Sequence, residues 1–218
     1  MVKNNDSYII QVLYLLKKHY PNAKMILNFS NNWELLVAVM LSAQSTDKTV
    51  NIVTEKLFKK YKTIQDYAHV DAKKLEKDIY STGFYRNKAK NIQATAKIIL
   101  EKYHGQVPKT MEELTSLPGV ARKTANIVLG NAYAIYEGIA VDTHVFRVSR
   151  RLGFSESTST DKVEKDLMRV IPKEEWFRFT YLIIEHGRAI CKAPFPRCDT
   201  CFLNKICPSA FNFPNFQK

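Results

Sequence analysis

A lysine delivered by a glycine turn into the first turn of a helix is a candidate nucleophile beside a phosphate site. This chain has one at Lys123, directly after Leu117-Pro118-Gly119-Val120-Ala121-Arg122. Upstream, Thr110-Met111-Glu112-Glu113 has the capping-box form, hydroxyl then carboxylate three residues on, which predicts a short helix from Met111 that ends before Pro118. Downstream, Thr124 to Tyr133 continues as helix. Backbone N–H groups at the turn and the new helix start have no intrahelical partner, and the helix dipole makes that end partly positive, so it suits a phosphodiester. The same field, with any burial, disfavours an ammonium and frees the amine for attack. Taken alone, the segment is equally an ordinary αα-hairpin with a solvated lysine.

A carboxylate follows at Asp142, in Val141-Asp142-Thr143-His144, between the apolar run Ile139-Ala140-Val141 and a helical pattern from Val145 to Leu152. An isolated aspartate that opens a helix reads as an N-cap. Combined with the hairpin lysine, the helix after it and the basic run Arg147, Arg150 and Arg151, the pattern resembles the helix-hairpin-helix DNA glycosylases, specifically the endonuclease III group. The catalytic lysine and aspartate of that family fall on Lys123 and Asp142.

All four cysteines fall between 191 and 207, spaced C-x6-C-x2-C-x5-C as Cys191, Cys198, Cys201 and Cys207. Two disulfides are the default of a small secreted protein, but nothing in the sequence indicates secretion. Structural zinc sites usually use two closely spaced ligand pairs, whereas this set has one C-x2-C and two longer loops. Thiolate ligation of a 4Fe-4S cluster is therefore at least as reasonable as zinc, and spacing alone leaves both open. The spacing is that of the endonuclease III cluster loop, so the resemblance implies a 4Fe-4S cluster on these four residues. Lys192 and Arg197 bracket a proline-stiffened protrusion between the first two cysteines, where they read as phosphate contacts or as solvated loop charge.

The 218 residues carry 33 Lys and Arg against 21 Asp and Glu, a net charge of +12. Such a balance suggests a polyanionic partner, either nucleic acid or an anionic membrane surface. Membrane is the weaker option, because no apolar run approaches the ~20 residues a span needs. Between Met1 and Lys24 the apolar residues are interrupted by Tyr, Lys and His, unlike a signal peptide. The expectation is a soluble, cytoplasmic, monomeric protein, nucleoid-associated in a bacterium.

The elements that must position these groups are helices. Apolar residues recur at helical spacing over 8–16, 33–41, 49–61, 72–80, 87–103, 124–133, 143–152, 161–171 and 176–186, and no alternating pattern requires a sheet. Gly83, Gly105, Gly153 and Gly187 read as helix stops. Composition marks no domain boundary. The resemblance supplies one: an all-α protein of two helical domains flanking a DNA-binding cleft, residues 23–135 with the hairpin in the first, 1–22 with 136–218 and the cluster loop in the second.

Two further sites follow from the resemblance. Leu41-Ser42-Ala43-Gln44-Ser45-Thr46-Asp47 is similar to the family loop whose glutamine fills the gap left by an extruded nucleotide, which falls on Gln44; read locally, it is a capping loop in which Thr46 or Asp47 starts a helix. The second wedge falls on Phe84, in Gly83-Phe84-Tyr85-Arg86, although an aromatic after a helix-stop glycine more often packs back on the core. Asn87, Lys88 and Lys90 read as a solvated or phosphate-facing helix start. Gly119, Ala121 and Arg122 are the implied DNA contacts of the hairpin. Family members commonly carry glycine where this chain has Ala121, which preserves phosphate binding unless that position needs positive φ.

The resemblance implies a bifunctional glycosylase and AP lyase that removes oxidised pyrimidines from duplex DNA and cleaves 3′ to the abasic site. A monofunctional adenine or mismatch glycosylase of the same superfamily would normally replace the lysine. A non-catalytic nucleic-acid-binding protein stapled by metal would need no Lys123/Asp142 pair.

Overall fold

The computed structural model describes residues 6–216. Its regular elements are helical: α1 (Asp6–His19), α2 (Asn32–Ser42), α3 (Asp47–Lys60), α4 (Ile64–His69), α5 (Ala72–Asp78), α6 (Tyr85–Tyr103), α7 (Met111–Ser116), α8 (Arg122–Tyr133), α9 (Thr143–Arg151), α10 (Thr160–Val170) and α11 (Trp176–Ala189), with short 3-10 turns between some of them. The all-α class expected from periodicity is the class observed. None of these helices is long and apolar enough to cross a membrane. The chain divides into two compact units, Ile26–Glu137 and Met1–Met25 with Gly138–Lys218; residues 1–5 and 217–218 of the expected second domain lie outside the described residues.

The unit 26–137 is built around α2. Trp33 and Leu35 through Leu41 are all buried, so this helix is apolar around its whole circumference, as a central core helix must be. Its start is fixed at both ends of one turn: Asn31 accepts the Glu34 N–H (2.9 Å) while the Glu34 carboxylate accepts the Ser30 N–H (2.6 Å). Helices α3, α6 and α8 pack on α2, and α4 and α5 pack on α6. Truncating Leu36 or Leu41 to alanine here costs about 2–5 kcal/mol.

Helix α4 has no counterpart in the periodicity because six residues are too few to display one. Its sequence signal is the reciprocal capping box of Thr63 and Asp66. The box expected at Thr110 forms only in part: Thr110 accepts the Glu113 N–H (3.3 Å) but gives its hydroxyl proton to the Glu113 carboxylate (2.8 Å).

The other unit packs α1, α9, α10 and α11 around Val12, Leu16, Val145, Val148, Leu167, Phe179, Leu182 and Leu203. Gly187 is not the helix stop expected of it, since α11 continues to Ala189. A Cβ there would stand 2.9 Å from His144 Nδ1 and 3.2 Å from an Arg147 nitrogen, so the glycine exists to let α9 approach α11 closely. The segment 211–216 packs on the same unit: Phe213 lies under the Arg151 guanidinium (4.5 Å) and Asn215 donates to the Pro196 carbonyl (3.2 Å).

Candidate active site and nucleic-acid interface

The hairpin turn between α7 and α8 is closed by the Val120 N–H on the Leu117 carbonyl (3.1 Å) and docked on α6 by the Thr95 hydroxyl on the Pro118 carbonyl (3.1 Å). Gly119 adopts φ +78°, and a Cβ there would sit 2.6 Å from Asn91 Nδ2, so both backbone sign and space demand glycine. Ala121 is the N-cap of α8 with φ −84°, which alanine adopts without strain, so the position needs no glycine. The N-cap residue Ala121 makes no side-chain capping bond, and a helix start of this kind presents backbone N–H groups that suit an anion. Lys123 is half-buried in that turn, while Arg122 is exposed and reaches the Glu137 carbonyl (3.4 Å).

Gln44 and Phe84 lie in the same unit as the hairpin, and both hold left-handed backbone that favours glycine. Gln44 (φ 54°) follows Ala43 (φ −57°, ψ 116°), and the Ser45 N–H closes the turn on the Ser42 carbonyl (3.1 Å), a type II arrangement with glutamine in the glycine position. Phe84 (φ 48°, ψ 26°) caps α6. The residue is 62% exposed, so it does not pack back on the core. Thr46 caps α3, accepting the Thr49 N–H (3.2 Å), as the local reading required. Lys88 departs from expectation: it is buried, not solvated, and its ammonium is bonded inside the unit.

In the other unit Asp142 is the N-cap of α9, its Oδ1 accepting the Val145 N–H at 2.8 Å. The cap fixes the carboxylate at the head of the helix. The far end of α9 holds the cysteine loop, through contacts that the sequence did not reveal. Arg147 donates to the carbonyls of Cys191 (3.1 Å) and Gly187 (3.2 Å), and Arg151 donates to those of Lys192 and Ala193 (both 2.7 Å) and to Cys191 Sγ (3.3 Å). Thus two of the three arginines in the basic run are turned onto the loop. Lys192 and Arg197 remain exposed on it.

The four cysteines are free of disulfides and line one pocket with Val148, Leu152, Leu203 and Arg151. Burial pushes the Cys201 thiol up to about 11 and raises Cys207 as well. Thiols so placed become thiolates when a metal centre supplies positive charge, and the Leu203 N–H on Cys201 Sγ (3.4 Å) stabilises the anion formed. Among the described residues no three His, Cys, Asp or Glu side chains converge on a single-ion site. The four thiols line one pocket, a donor set that fits an iron–thiolate centre.

A family model described as HhH-GPD superfamily base excision DNA repair protein matches residues 37–173, which sets the class. Endonuclease III of Bacillus subtilis (strain 168) is 52% identical over 189 residues, 86% of each chain, and endonuclease III of Synechocystis sp. (strain ATCC 27184 / PCC 6803 / Kazusa) is 50% identical over 200 residues, 92% of this chain and 91% of that protein. A solved trapped endonuclease III–DNA covalent intermediate, the estranged-adenine complex, matches at TM-score 0.91 and 47% identity over 95% of this chain and 98% of that one. The chain belongs to the endonuclease III family.

Proposed function

We propose that the protein is a bifunctional DNA glycosylase and AP lyase that excises oxidised pyrimidines from duplex DNA and cuts the strand by β-elimination. The observation that carries this reading is Lys123 in the first turn of α8, half-buried behind a hairpin whose helix start has no side-chain cap. Membership of the endonuclease III family, and a covalently trapped DNA complex of a 47% identical relative, support it.

A damaged base is reached by extruding its nucleotide, at a cost of a few kcal/mol that lesions reduce. Gln44 and Phe84, exposed and held on strained turns, are suited to occupy the gap. The hairpin amides and Arg122 hold phosphate. The Lys123 amine attacks C1′ as the glycosidic bond breaks, its electron pair leaving with the base. After the amine loses its proton, ring opening gives a Schiff base that acidifies the C2′ proton. Loss of that proton expels the 3′ phosphate, breaking the C3′–O bond. Asp142 stabilises positive charge developing on the sugar and accepts the lysine proton.

Cys191, Cys198, Cys201 and Cys207 would hold a 4Fe-4S cluster, which would supply a four-point iron–thiolate cross-link of the loop; the excision and lyase chemistry requires no electron transfer. Lys192 and Arg197 on that loop face phosphate.

Borohydride trapping on duplexes bearing thymine glycol or an abasic site tests the reading. A covalent adduct is expected with the wild-type protein and none with Lys123→Ala; base release without an adduct in the wild type would leave a monofunctional glycosylase instead.

A further inference from the structure

Lys88, in the first turn of α6, is only 7% exposed. Its Nζ donates to the Leu41 carbonyl (2.8 Å) and the Thr82 carbonyl (2.7 Å), and its backbone N–H donates to the Phe84 carbonyl (3.1 Å). Leu41 sits in the last turn of α2, directly ahead of the Ser42–Ser45 turn that carries Gln44. Thr82 ends the 3-10 turn Tyr80–Thr82, directly ahead of Gly83 and Phe84. One side chain therefore joins two segments far apart in sequence, each leading into a left-handed, exposed residue.

The chemistry of the contact explains the residue type. Carbonyls in a last helical turn lack intrahelical partners and carry partial negative charge, so a cation answers both needs. Burial pushes Lys88 down to about 8, while hydrogen bonds to two carbonyls favour its charged form. An apolar side chain here would leave both carbonyls without this donor, so the lysine contributes to stability as well as to position. What it uniquely supplies is a fixed distance between two carbonyls. Left-handed non-glycine residues persist only where their surroundings over-determine them, and Phe84, the N-cap of α6, makes no side-chain hydrogen bond of its own there.

We infer that Lys88 is a positioning residue for nucleotide extrusion, tying the turn that bears Gln44 to the turn that bears Phe84 so that the two enter the base stack as one rigid unit. The inference rests on the reading of those two residues as the inserting side chains.

The test is single-turnover excision from a thymine glycol duplex with 2-aminopurine beside the lesion to report unstacking. Lys88→Met keeps length and removes the donors. It should slow the fluorescence step by about tenfold to a hundredfold, the range for a small misplacement remote from the chemistry. In a Gln44→Ala/Phe84→Ala background the same substitution should have no further effect, a non-additivity that a general loss of stability would not produce. If Gln44→Ala and Phe84→Ala leave the fluorescence step at wild-type speed, the insertion reading fails and this inference falls with it. If they slow it while Lys88→Met has no effect or an independent one, the Lys88 inference alone is overturned. Where Lys88→Met does not fold, hydrogen exchange of the wild type decides. A single shared opening of 42–45 and 82–85 supports the tie, and independent openings overturn it.

Discussion

Arg151 sets its guanidinium 3.3 Å from the Sγ of Cys191, while two further bonds of 2.7 Å hold the carbonyls of Lys192 and Ala193. The same guanidinium is covered on one face by Phe213. A planar fork is required to reach a sulfur and two carbonyls at once, so lysine cannot replace it. Partners of this kind typically contribute 10- to 100-fold in metal affinity. Arg151→Met should therefore give a protein whose visible absorbance and iron content decay about tenfold faster or more under chelator challenge. Decay at the wild-type rate would reduce Arg151 to a surface contact.

Asp142 serves two needs that substitution can separate. Asparagine caps a helix as well as aspartate does, so Asp142→Asn should melt close to the wild type while turnover falls by ~100-fold or more. Asp142→Ala should also lose about 1 kcal/mol of stability with the cap. Calorimetry together with single-turnover kinetics separates the two, and an Asn variant that both melts and turns over like the wild type would make Asp142 a cap alone.

Lys192 and Arg197 are exposed on the loop that the cysteines hold. With the cluster intact, replacing both by alanine should weaken binding about equally across DNA sequences and lower the salt slope by roughly one phosphate contact each. Binding titrations between low and moderate salt check this. An unchanged slope would mean that the loop faces away from DNA.

The capping box of α4 carries a pH signature. The Thr63 backbone N–H, then the Thr63 hydroxyl and the Lys62 N–H, hold the Asp66 carboxyl below the usual carboxylate range. A carboxyl depressed on folding stabilises the native state fully above its unfolded value and loses that contribution as pH falls through the depressed one. The amide resonances of Lys62 and Thr63 should accordingly titrate with a midpoint below that of an ordinary aspartate. An ordinary midpoint would break the box.

What the sequence disclosed was local. Gly119, the capping residues and the cysteine spacing announce themselves because turn chemistry and ligand geometry act over a few positions. Long-range pairings left no trace. Arg147 and Arg151 look like any basic run until α9 is laid beside 191–193, and Lys88 looks solvated until its carbonyl partners, one of them at Leu41, are known. Gly187 misled for the same reason, since a glycine that admits a neighbouring helix is written identically to one that ends its own. Helix α4 escaped because periodicity needs more than six residues, although its capping box was legible.

The unit 26–137 is continuous in sequence, whereas the one holding the cysteines joins α1 to everything after Gly138, with Phe213 among the residues lining its pocket. During synthesis the continuous unit can form while the ribosome is still translating. The cysteine pocket cannot be finished until Phe213 has left the exit tunnel, with Arg151 waiting for its cover. The four thiols are thereby completed as a set only after the unit that carries the hairpin has been made.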